Sequence, residues 1–131
     1  MLDLILCVDD DPITLMLCKK VITKHSFSNT IITAKNGEEA LQYFNSIINK
    51  EENRLPDLMF LDLNMPVMDG WEFLDLFSTN KYSEVNSIKI VVLSSTIDPE
   101  DLQKSKKYPM VIDFLSKPIT TNMLSYLEAK I

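Results

Sequence analysis

The sequence predicts an α/β fold, namely a doubly wound, five-stranded parallel sheet with helices on both faces. Two observations carry this prediction. Short apolar runs, typical of strands buried on both faces, alternate five times with segments that have helical signals. Strict alternation of strands and helices implies right-handed crossovers, which favour the strand order 2-1-3-4-5. The 131 residues, 46% of them apolar, match one domain with a full core, so we predict a single domain spanning residues 1–131.

The first half of the chain predicts two strand–helix units. Residues 4–8 form an apolar run, and Pro12 marks the start of a helix that extends to about His25. The apolar residues at helical spacing in this segment are Ile13, Met16, Leu17 and Val21. Residues 30–34 are rich in β-branched side chains and predict the second strand, after which Asn36 can cap the second helix. The inner stripe of that helix consists of Ala40, Leu41, Phe44, Ile47 and Ile48.

The second half repeats the pattern three times. The third strand, residues 58–62, ends on a carboxylate, and a Met-Pro turn and an Asp-Gly pair precede the third helix. The fourth strand, residues 88–93, is followed by Ser-Ser-Thr, and Pro99 marks a short helix. The fifth strand, residues 110–115, is followed by Ser-Lys-Pro, and Thr120 or Thr121 caps the last helix. The apolar residues that mark these three helices are Phe73, Leu74, Phe77, Leu102, Leu124, Leu127 and Ile131.

Charge and hydropathy exclude several classes of protein. A net charge of −6 argues against direct binding of nucleic acid, because phosphate backbones bind to basic faces. No apolar run approaches the roughly 20 residues of a membrane helix, and no basic segment precedes the first run as in a signal peptide. We therefore predict a soluble, cytoplasmic protein that binds neither nucleic acid nor membrane. We expect Cys7 and Cys18 to be buried reduced thiols, and His25 to have no functional role.

Polar side chains stand where the predicted strands end. Strand one is followed by Asp9 and Asp10, strand three ends on Asp62, strand four is followed by Ser94, and strand five by Lys117. Each has a plainer explanation alone: an acidic helix start, turn chemistry, or a solvated loop lysine. Because the carboxyl ends of parallel strands open into one crevice, we expect these five side chains to lie together.

Three neighbouring carboxylates repel each other unless one is protonated or a cation lies between them. A few oxygen ligands suit Mg²⁺, which keeps several waters, and do not suit zinc, which prefers His or Cys. A Mg²⁺ with open positions, a lysine and a hydroxyl can together hold a phosphoryl group. One carboxylate could itself be the nucleophile and form an aspartyl phosphate.

Five segments together resemble the receiver domain of two-component response regulators, the fold of the chemotaxis regulator. They read Ile-Leu-Cys-Val-Asp-Asp-Asp-Pro at 5–12, Asn-Gly-Glu-Glu-Ala-Leu at 36–41, Pro-Asp-Leu-Met-Phe-Leu-Asp-Leu-Asn-Met-Pro-Val-Met-Asp-Gly at 56–70, Val-Val-Leu-Ser-Ser at 91–95 and Phe-Leu-Ser-Lys-Pro at 114–118. In this order the segments are highly specific, and the resemblance covers nearly the whole chain. It implies a flavodoxin-like (βα)5 fold for the single domain.

The resemblance implies a role for each residue around the metal. Asp62 would be the phospho-acceptor and a metal ligand, Asp10 would bind Mg²⁺ directly, and Asp9 would act on it mainly through water. Asn64 would offer its backbone carbonyl to the metal. Asn64 and Thr96 match the variable positions that tune phosphate lifetime in this family.

The resemblance also implies how a signal would leave the site. Ser94, in place of the commoner Thr, would bond the phosphoryl group, and Lys117 would pair with it, with a cis peptide bond before Pro118. Phe114 matches the switch aromatic, which turns inward when Ser94 moves toward the phosphate. One departure lies at residues 106–110, where the family usually has small residues and this chain has Lys-Lys-Tyr-Pro-Met. We expect Trp71, the only tryptophan, to be partly buried packing.

The function implied is that of a stand-alone receiver in a phosphorelay, because the last predicted helix ends at Ile131 and leaves no residues for an output domain. A histidine kinase or a His-containing phosphotransfer protein would supply the phosphoryl group. An unknown downstream protein would read the signal from the face of helix four, strand five and helix five. The domain would assist its own phosphorylation and dephosphorylation without being a turnover enzyme.

Three alternative functions have specific requirements. A Mg²⁺-dependent phosphatase with an aspartyl nucleophile usually has a second acid two residues after the nucleophile, where this chain has Asn64. A flavodoxin-like cofactor binder needs a Ser/Thr/Gly-rich phosphate loop, whereas the acids Asp9, Asp10 and Asp11 would repel the phosphate of FMN. A pseudo-receiver that never takes phosphate has no need of the complete acid set.

Overall fold

The computed structural model describes residues 1–51 and 53–131. The elements alternate as predicted. In chain order they are β1 Leu2–Val8, α1 Pro12–Lys24, β2 Ser28–Ala34, α2 Gly37–Ile48, β3 Leu58–Asp62, α3 Gly70–Phe77, β4 Lys89–Ser94, α4 Pro99–Ser105, β5 Val111–Ser116 and α5 Thr121–Lys130. A 3-10 helix at Asn80–Tyr82, which the sequence pattern did not predict, precedes β4 and is anchored by the buried ring of Tyr82.

The five strands form one parallel sheet in the order β2-β1-β3-β4-β5, which confirms the predicted topology. β3 lies at the centre, and all five of its residues are buried, because helices cover both faces of the sheet. One core layer contains the aromatic rings of α2 and α3 and includes Phe44, Phe73 and Phe77. The other layer contains apolar residues of α1 and α5 and includes Ile22, Leu124 and Leu127.

Each α-helix is preceded by a residue whose side chain accepts a hydrogen bond from a backbone N–H of the first turn, which satisfies one of the free donors at the helix start. The five capping residues are Asp11, Asn36, Asp69, Asp98 and Thr120. Thr120 rather than Thr121 therefore caps α5. These caps hold the strand-to-helix loops at the carboxyl edge of the sheet, where the candidate site lies.

The helical spacing in α1 correctly predicts a helix but not its buried face. Ile13, Met16 and Leu17 are 63%, 48% and 45% exposed, whereas Cys18 and Ile22 point into the core. The two residues are one turn apart, at i and i+4, so they share a face that the sequence pattern did not single out. Both cysteines are buried free thiols, as predicted.

The strand bounds shift slightly from their predicted positions. β1 and β2 begin two residues earlier than predicted, and β4 and β5 begin and end one residue later. The Lys117–Pro118 peptide bond is cis, as the resemblance implied. Among the described residues, no helix has both the length and the apolar composition needed to cross a membrane.

Candidate functional site

The carboxyl ends of four neighbouring strands supply the predicted site residues. Asp62 is the last residue of β3, and Asp9 directly follows β1. Ser94 is the last residue of β4, and Lys117 directly follows β5. The parallel registers place Val8 beside Leu61 and Asp62 beside Leu93, so these strand ends are level with one another. The site lies at the switch point of the sheet, where strand order reverses.

Three carboxylates meet at this edge. Asp9, Asp10 and Asp62 each contribute one oxygen to a group in which all the oxygens lie within 4.8 Å of one another. Asp9 and Asp62 are each only 5% exposed, whereas Asp10 is exposed. The cluster therefore has a buried side and an open side. This donor set fits Mg²⁺, which takes a few carboxylate oxygens and retains water on its open side.

Lys117 supplies the positive charge of the site. Its Nζ atom lies 2.6 Å from Oδ2 of Asp9 and 3.1 Å from Oδ1 of Asp62. Burial alone would lower the pKa of Lys117, but the hydrogen bonds and charges of Asp9 and Asp62 outweigh it, so the net pKa is raised. The lysine therefore remains an ammonium at neutral pH and bridges the two buried carboxylates.

Opposing influences act on the pKa of Asp62. Burial and the nearby charge of Asp9 raise the pKa of Asp62, while Lys117 and the backbone N–H of Asn64 oppose the rise only in part. Without a metal, the ionised form of this carboxylate is therefore less favourable than in water. A cation between Asp62 and the other two acids would relieve that cost, which is the physical reason why this cluster suits a divalent ion.

The three consecutive acids after β1 have different roles. Asp11 accepts a hydrogen bond from the N–H of Ile13 at 2.9 Å and caps α1, so it is the ordinary helix-start acid. Asp9 instead points into the site, where its Oδ1 accepts a hydrogen bond from the N–H of Asp11 at 3.0 Å. Asp9 also anchors the loop, since its own N–H donates to the carbonyl of Ala34 at 3.0 Å.

The loop between β3 and α3 closes tightly against Asp62. The N–H of Gly70 donates to the carbonyl of Leu63 at 3.0 Å, and a Cβ on Gly70 would lie 2.5 Å from the carbonyl oxygen of Asp62. Val67 has φ of 72° and lies at the centre of a turn closed by a 3.0 Å bond from the N–H of Met68 to the carbonyl of Pro66. A positive φ is rare for a β-branched residue.

The remaining predicted residues surround this pocket. Ser94 is 2% exposed, and its Oγ accepts a 3.4 Å hydrogen bond from the N–H of Thr96. The side chains of Asn64 and Thr96 are exposed beside the pocket. Phe114 is buried with Leu63 and Val92 in a small cluster, here called the Phe114 cluster. The structure thus brings the three acids and Lys117 into contact range, and places Ser94 on β4 and Phe114 on β5.

The structure confirms that Trp71 is partly buried packing, but sequence reasoning missed its contacts with α4 and with the turn that follows α4. Trp71, packed against the Phe114 cluster, stacks on Tyr108 and lies beneath the ammonium of Lys104. Tyr108 also bonds to Asp75. Trp71 and Asp75 are four residues apart on α3, a spacing that could have signalled a shared face. Their contacts with α4 and the following turn could not be predicted from that spacing.

The fold and the site define a class of protein: a doubly wound α/β domain with an acidic pocket at the carboxyl edge of its sheet. Residues 5–127 match the family model described as the response regulator receiver domain. The chain belongs to this family and is the receiver domain of a two-component response regulator.

Several known proteins are similar to this chain in sequence or in structure. The structure of a two-component response regulator from Cytophaga hutchinsonii is 32% identical, covers 98% of this chain and 96% of its own, and superposes with a TM-score of 0.88. A protein-glutamate methylesterase/protein-glutamine glutaminase of Methanospirillum hungatei JF-1 is 30% identical over 77% of this chain. A hybrid signal transduction histidine kinase of Dictyostelium discoideum is 28% identical over 92% of it. The chain spans only 25% of the methylesterase and 7% of the kinase.

Proposed function

We propose that this receiver accepts a phosphoryl group on Asp62 and thereby switches a protein–protein signal. The observation that carries the proposal is the geometry around Asp62. One of its carboxylate oxygens lies within 4.8 Å of an oxygen of Asp9 and of an oxygen of Asp10, and its Oδ1 lies 3.1 Å from Nζ of Lys117. A carboxylate nucleophile with a metal site on one side and a fixed cation on the other meets the needs of phosphoryl transfer, which depends mainly on positioning and charge stabilisation.

In the proposed reaction, an oxygen of Asp62 attacks the phosphorus of the donor. The bond from phosphorus to the donor's imidazole nitrogen breaks, and the imidazole leaves with the electron pair and takes a proton from water. When bound, Mg²⁺ would supply charge neutralisation to the phosphoryl oxygens. Asp9, Asp10 and Asp62, with the backbone carbonyl of Asn64, would hold it. Lys117 holds its proton throughout, because its pKa is raised, and pairs with the phosphate.

The other site residues have proposed roles in the response. Ser94 would donate a hydrogen bond from its hydroxyl to a phosphoryl oxygen, since it lies on β4, the strand next to that of Asp62. Phe114 would respond through the packing of its cluster when Ser94 moves. The exposed side chains of Asn64 and Thr96 flank the access to Asp62, and we propose that they control how readily water reaches the phosphate and hence its lifetime.

A histidine kinase or a histidine-containing phosphotransfer protein is the proposed donor. Support comes from the surface beside the site, where α1 exposes the apolar residues Ile13, Met16 and Leu17. A cavity of about 210 Å³ adjoins Leu17 and Lys117 on this side. An exposed apolar patch next to a reactive group suits a partner that must hold its own reactive side chain over Asp62. The receiver would then assist its own phosphorylation and dephosphorylation without being a turnover enzyme.

Chemical labelling tests the acceptor and the metal together. Acetyl phosphate with Mg²⁺ should add one phosphoryl mass to the wild type in intact-mass spectrometry, and EDTA should abolish it. Asp62→Asn should not be labelled, whereas Asp101→Asn, a matched change of an acid on α4, should be labelled normally. Mg²⁺ should also raise the melting temperature of the wild type and not that of Asp10→Asn. A label that persists in Asp62→Asn would disprove the proposed acceptor.

The donor surface has a separate test. Leu17→Asp should slow phosphotransfer from a kinase that phosphorylates the wild type by about tenfold, the effect of losing roughly 1.4 kcal/mol of binding. Its labelling by acetyl phosphate should be unchanged, because the small donor does not use α1. Leu76→Asp is the matched control, since Leu76 is equally exposed, at 44%, but lies on α3. Equal phosphotransfer to both variants would exclude the α1 surface as the docking site.

A further inference from the structure

Trp71 lies between the Phe114 cluster and the outer surface of the domain. It is the second residue of α3 and is partly buried. It packs against the cluster formed by Leu63, Val92 and Phe114, and also against the larger core layer that contains Phe73. Trp71 is the only tryptophan in the chain, so its fluorescence reports on this one position.

Trp71 also contacts α4 and the turn that follows it. The ring of Tyr108 stacks on Trp71 with centroids 6.1 Å apart and an interplanar angle of 29°. The Nζ atom of Lys104, on α4, lies 4.5 Å from the centroid of the Trp71 ring, within the range of a cation–π contact. The same residue therefore contacts both the core and the α4 region.

Tyr108 fixes this arrangement to α3. Its hydroxyl donates a 2.5 Å hydrogen bond to Oδ1 of Asp75, one helical turn after Trp71. Burial, together with the hydrogen bond and charge of Asp75, raises the pKa of Tyr108 to about 12, because both favour the protonated hydroxyl that donates to the carboxylate. Tyr108 lies in the segment 106–110, where this chain departs from the small residues usual in the family. Its side chain contacts Trp71 and Asp75 of α3.

The attachment matters because α4 has few other anchors. Of its seven residues, Ser105 alone is buried. Lys104, on α4, and Tyr108, just after it, both contact Trp71, and Tyr108 also packs against the larger core layer. The indole in turn rests on the Phe114 cluster, which is closely packed and cannot shift without moving its neighbours.

We propose that Trp71 is a positioning residue that couples the packing of Phe114 to the position of α4. A change at the phosphorylation site would reach the outer surface through this one ring, by way of Lys104 and Tyr108. The inference deepens the proposed function and rests on it where phosphorylation is the trigger. The contacts that carry it form a continuous chain from β5 through α3 to α4, as energetic coupling between sites requires.

Fluorescence tests the coupling under phosphorylation. The wild type is treated with acetyl phosphate and Mg²⁺, the labelled fraction is measured by intact mass, and the Trp71 emission is recorded on the same sample. We expect the emission to change in proportion to the labelled fraction. Phe114→Leu should accept the label but lose most of the emission change, whereas a direct effect of the phosphate charge on the indole would survive in this variant.

Two lysine variants test the link to α4. Lys104→Met keeps the apolar stem but removes the ammonium over the ring, and we expect it to lose much of the emission response. Lys106→Met removes the same charge from an exposed residue two positions later, and should respond as the wild type does. An equal response of both variants, or a labelled wild type with unchanged emission, would overturn the inference while leaving Asp62 as the acceptor.

A measurement that needs no phosphate separates the two proposals. Urea midpoints of Phe114→Leu, Lys104→Met and the double variant form a double-mutant cycle. If Trp71 couples them, the double variant should shift the midpoint by an amount different from the sum of the single shifts. The same cycle in a Trp71→Leu background should be additive. Additivity in the tryptophan-containing protein would refute the coupling, and non-additivity would support it even if acetyl phosphate failed to label Asp62.

Discussion

Lys117 forms an ion pair with Asp9, 108 residues earlier in the chain, with Nζ and Oδ2 2.6 Å apart. The strands that they follow, β5 and β1, are not neighbours, because β3 and β4 lie between them. The lysine therefore reaches across the edge of the sheet and contacts Asp62 on the way. In the protein without metal, this single ammonium is the counter-charge of two buried carboxylates.

Removal of that charge should destabilise the metal-free protein. Lys117→Met leaves Asp9 and Asp62 buried beside each other without the ammonium, and we expect a loss of about 3 kcal/mol in the free energy of unfolding at pH 7. Thermal or urea unfolding with and without Mg²⁺ measures the effect. The variant should gain more stability from Mg²⁺ than the wild type does, because the metal would replace the missing charge.

A matched control is Lys107→Met, which removes an exposed lysine and should change stability little. Equal stability of Lys117→Met and the wild type without metal would show that the ion pairs of Lys117 do not stabilise the fold.

Gly70 allows the backbone after Asp62 to close, and Gly70→Ala should disrupt it. The added Cβ would lie 2.5 Å from the carbonyl oxygen of Asp62 and 2.9 Å from the Cα of Leu63, both backbone atoms that cannot move aside cheaply. We expect a loss of more than about 2 kcal/mol in unfolding free energy, and slower acetyl phosphate labelling because the acceptor loop shifts. Urea unfolding and intact mass give the two readouts.

Gly37→Ala is the comparison for this variant, because its Cβ would meet the Met68 side chain at 2.9 Å, which can rotate away, and the carbonyl oxygen of Met68 at 3.0 Å, a less severe backbone contact than the 2.5 Å contact at Gly70. We expect a smaller loss of stability at Gly37. A Gly70→Ala variant as stable as Gly37→Ala would mean that the loop tolerates a side chain next to Asp62.

Val67 should be replaceable by glycine with a gain in stability. Its φ of 72° is unfavourable for a β-branched residue, and its side chain is 74% exposed, so little burial is lost. Relief of backbone strain should exceed the entropy that glycine adds to the unfolded chain, for a net gain of about 1 kcal/mol. Urea unfolding measures it. Val67→Ala retains a Cβ and should gain less, and a destabilised Val67→Gly would show that the side chain has packing value.

Asp113 should make stability depend on pH. Burial opposes its charge, but hydrogen bonds from Tyr126, Lys130 and the N–H of Phe114 outweigh that cost and lower its pKa. A lowered pKa in the folded state adds stability above the unfolded pKa, and this stability is lost as pH falls through the folded value. Asp113→Asn should therefore be about 1 kcal/mol less stable than the wild type at pH 7.

The difference should close as the solution is acidified below the folded pKa of Asp113, and urea unfolding from pH 7 downward measures it. Tyr126→Phe removes one of the three donors and should show a smaller gap with the same direction of pH dependence. A gap between Asp113→Asn and the wild type that stays constant with pH would show that the carboxylate charge is not its source.

Local patterns predicted most of the fold because each element is encoded over a few neighbouring residues. The four apolar residues that precede Asp62 identified β3 at residues 58–62 without error, since a strand buried on both faces is apolar along most of its length. The apolar residues of α1 were a poorer guide. Ile13, Met16 and Leu17 have helical spacing but face solvent, and spacing alone does not say which of two apolar stripes meets the sheet.

The candidate acids could also be located in advance, because the carboxyl ends of parallel strands share one edge. The pattern placed Asp9 and Asp10 at the site and left the role of Asp11 open, and the structure shows that Asp11 caps α1. The sequence pattern also could not predict the contacts of Trp71 with Lys104 and Tyr108. These contacts join segments more than 30 residues apart, and they depend on how α3 packs beside α4.

The sequence by itself determined the order of the strands and helices, the edge at which Asp9, Asp10 and Asp62 stand, and the family to which the chain belongs. These depend on residue types at short spacing and on the handedness of crossovers, which are local properties of the chain. Tertiary structure alone decided which oxygen atoms share a pocket, that Lys117 bridges two of the acids, and that one indole joins the core to α4. Those contacts depend on distances of a few ångströms between distant segments, and such distances exist only once the sheet has formed.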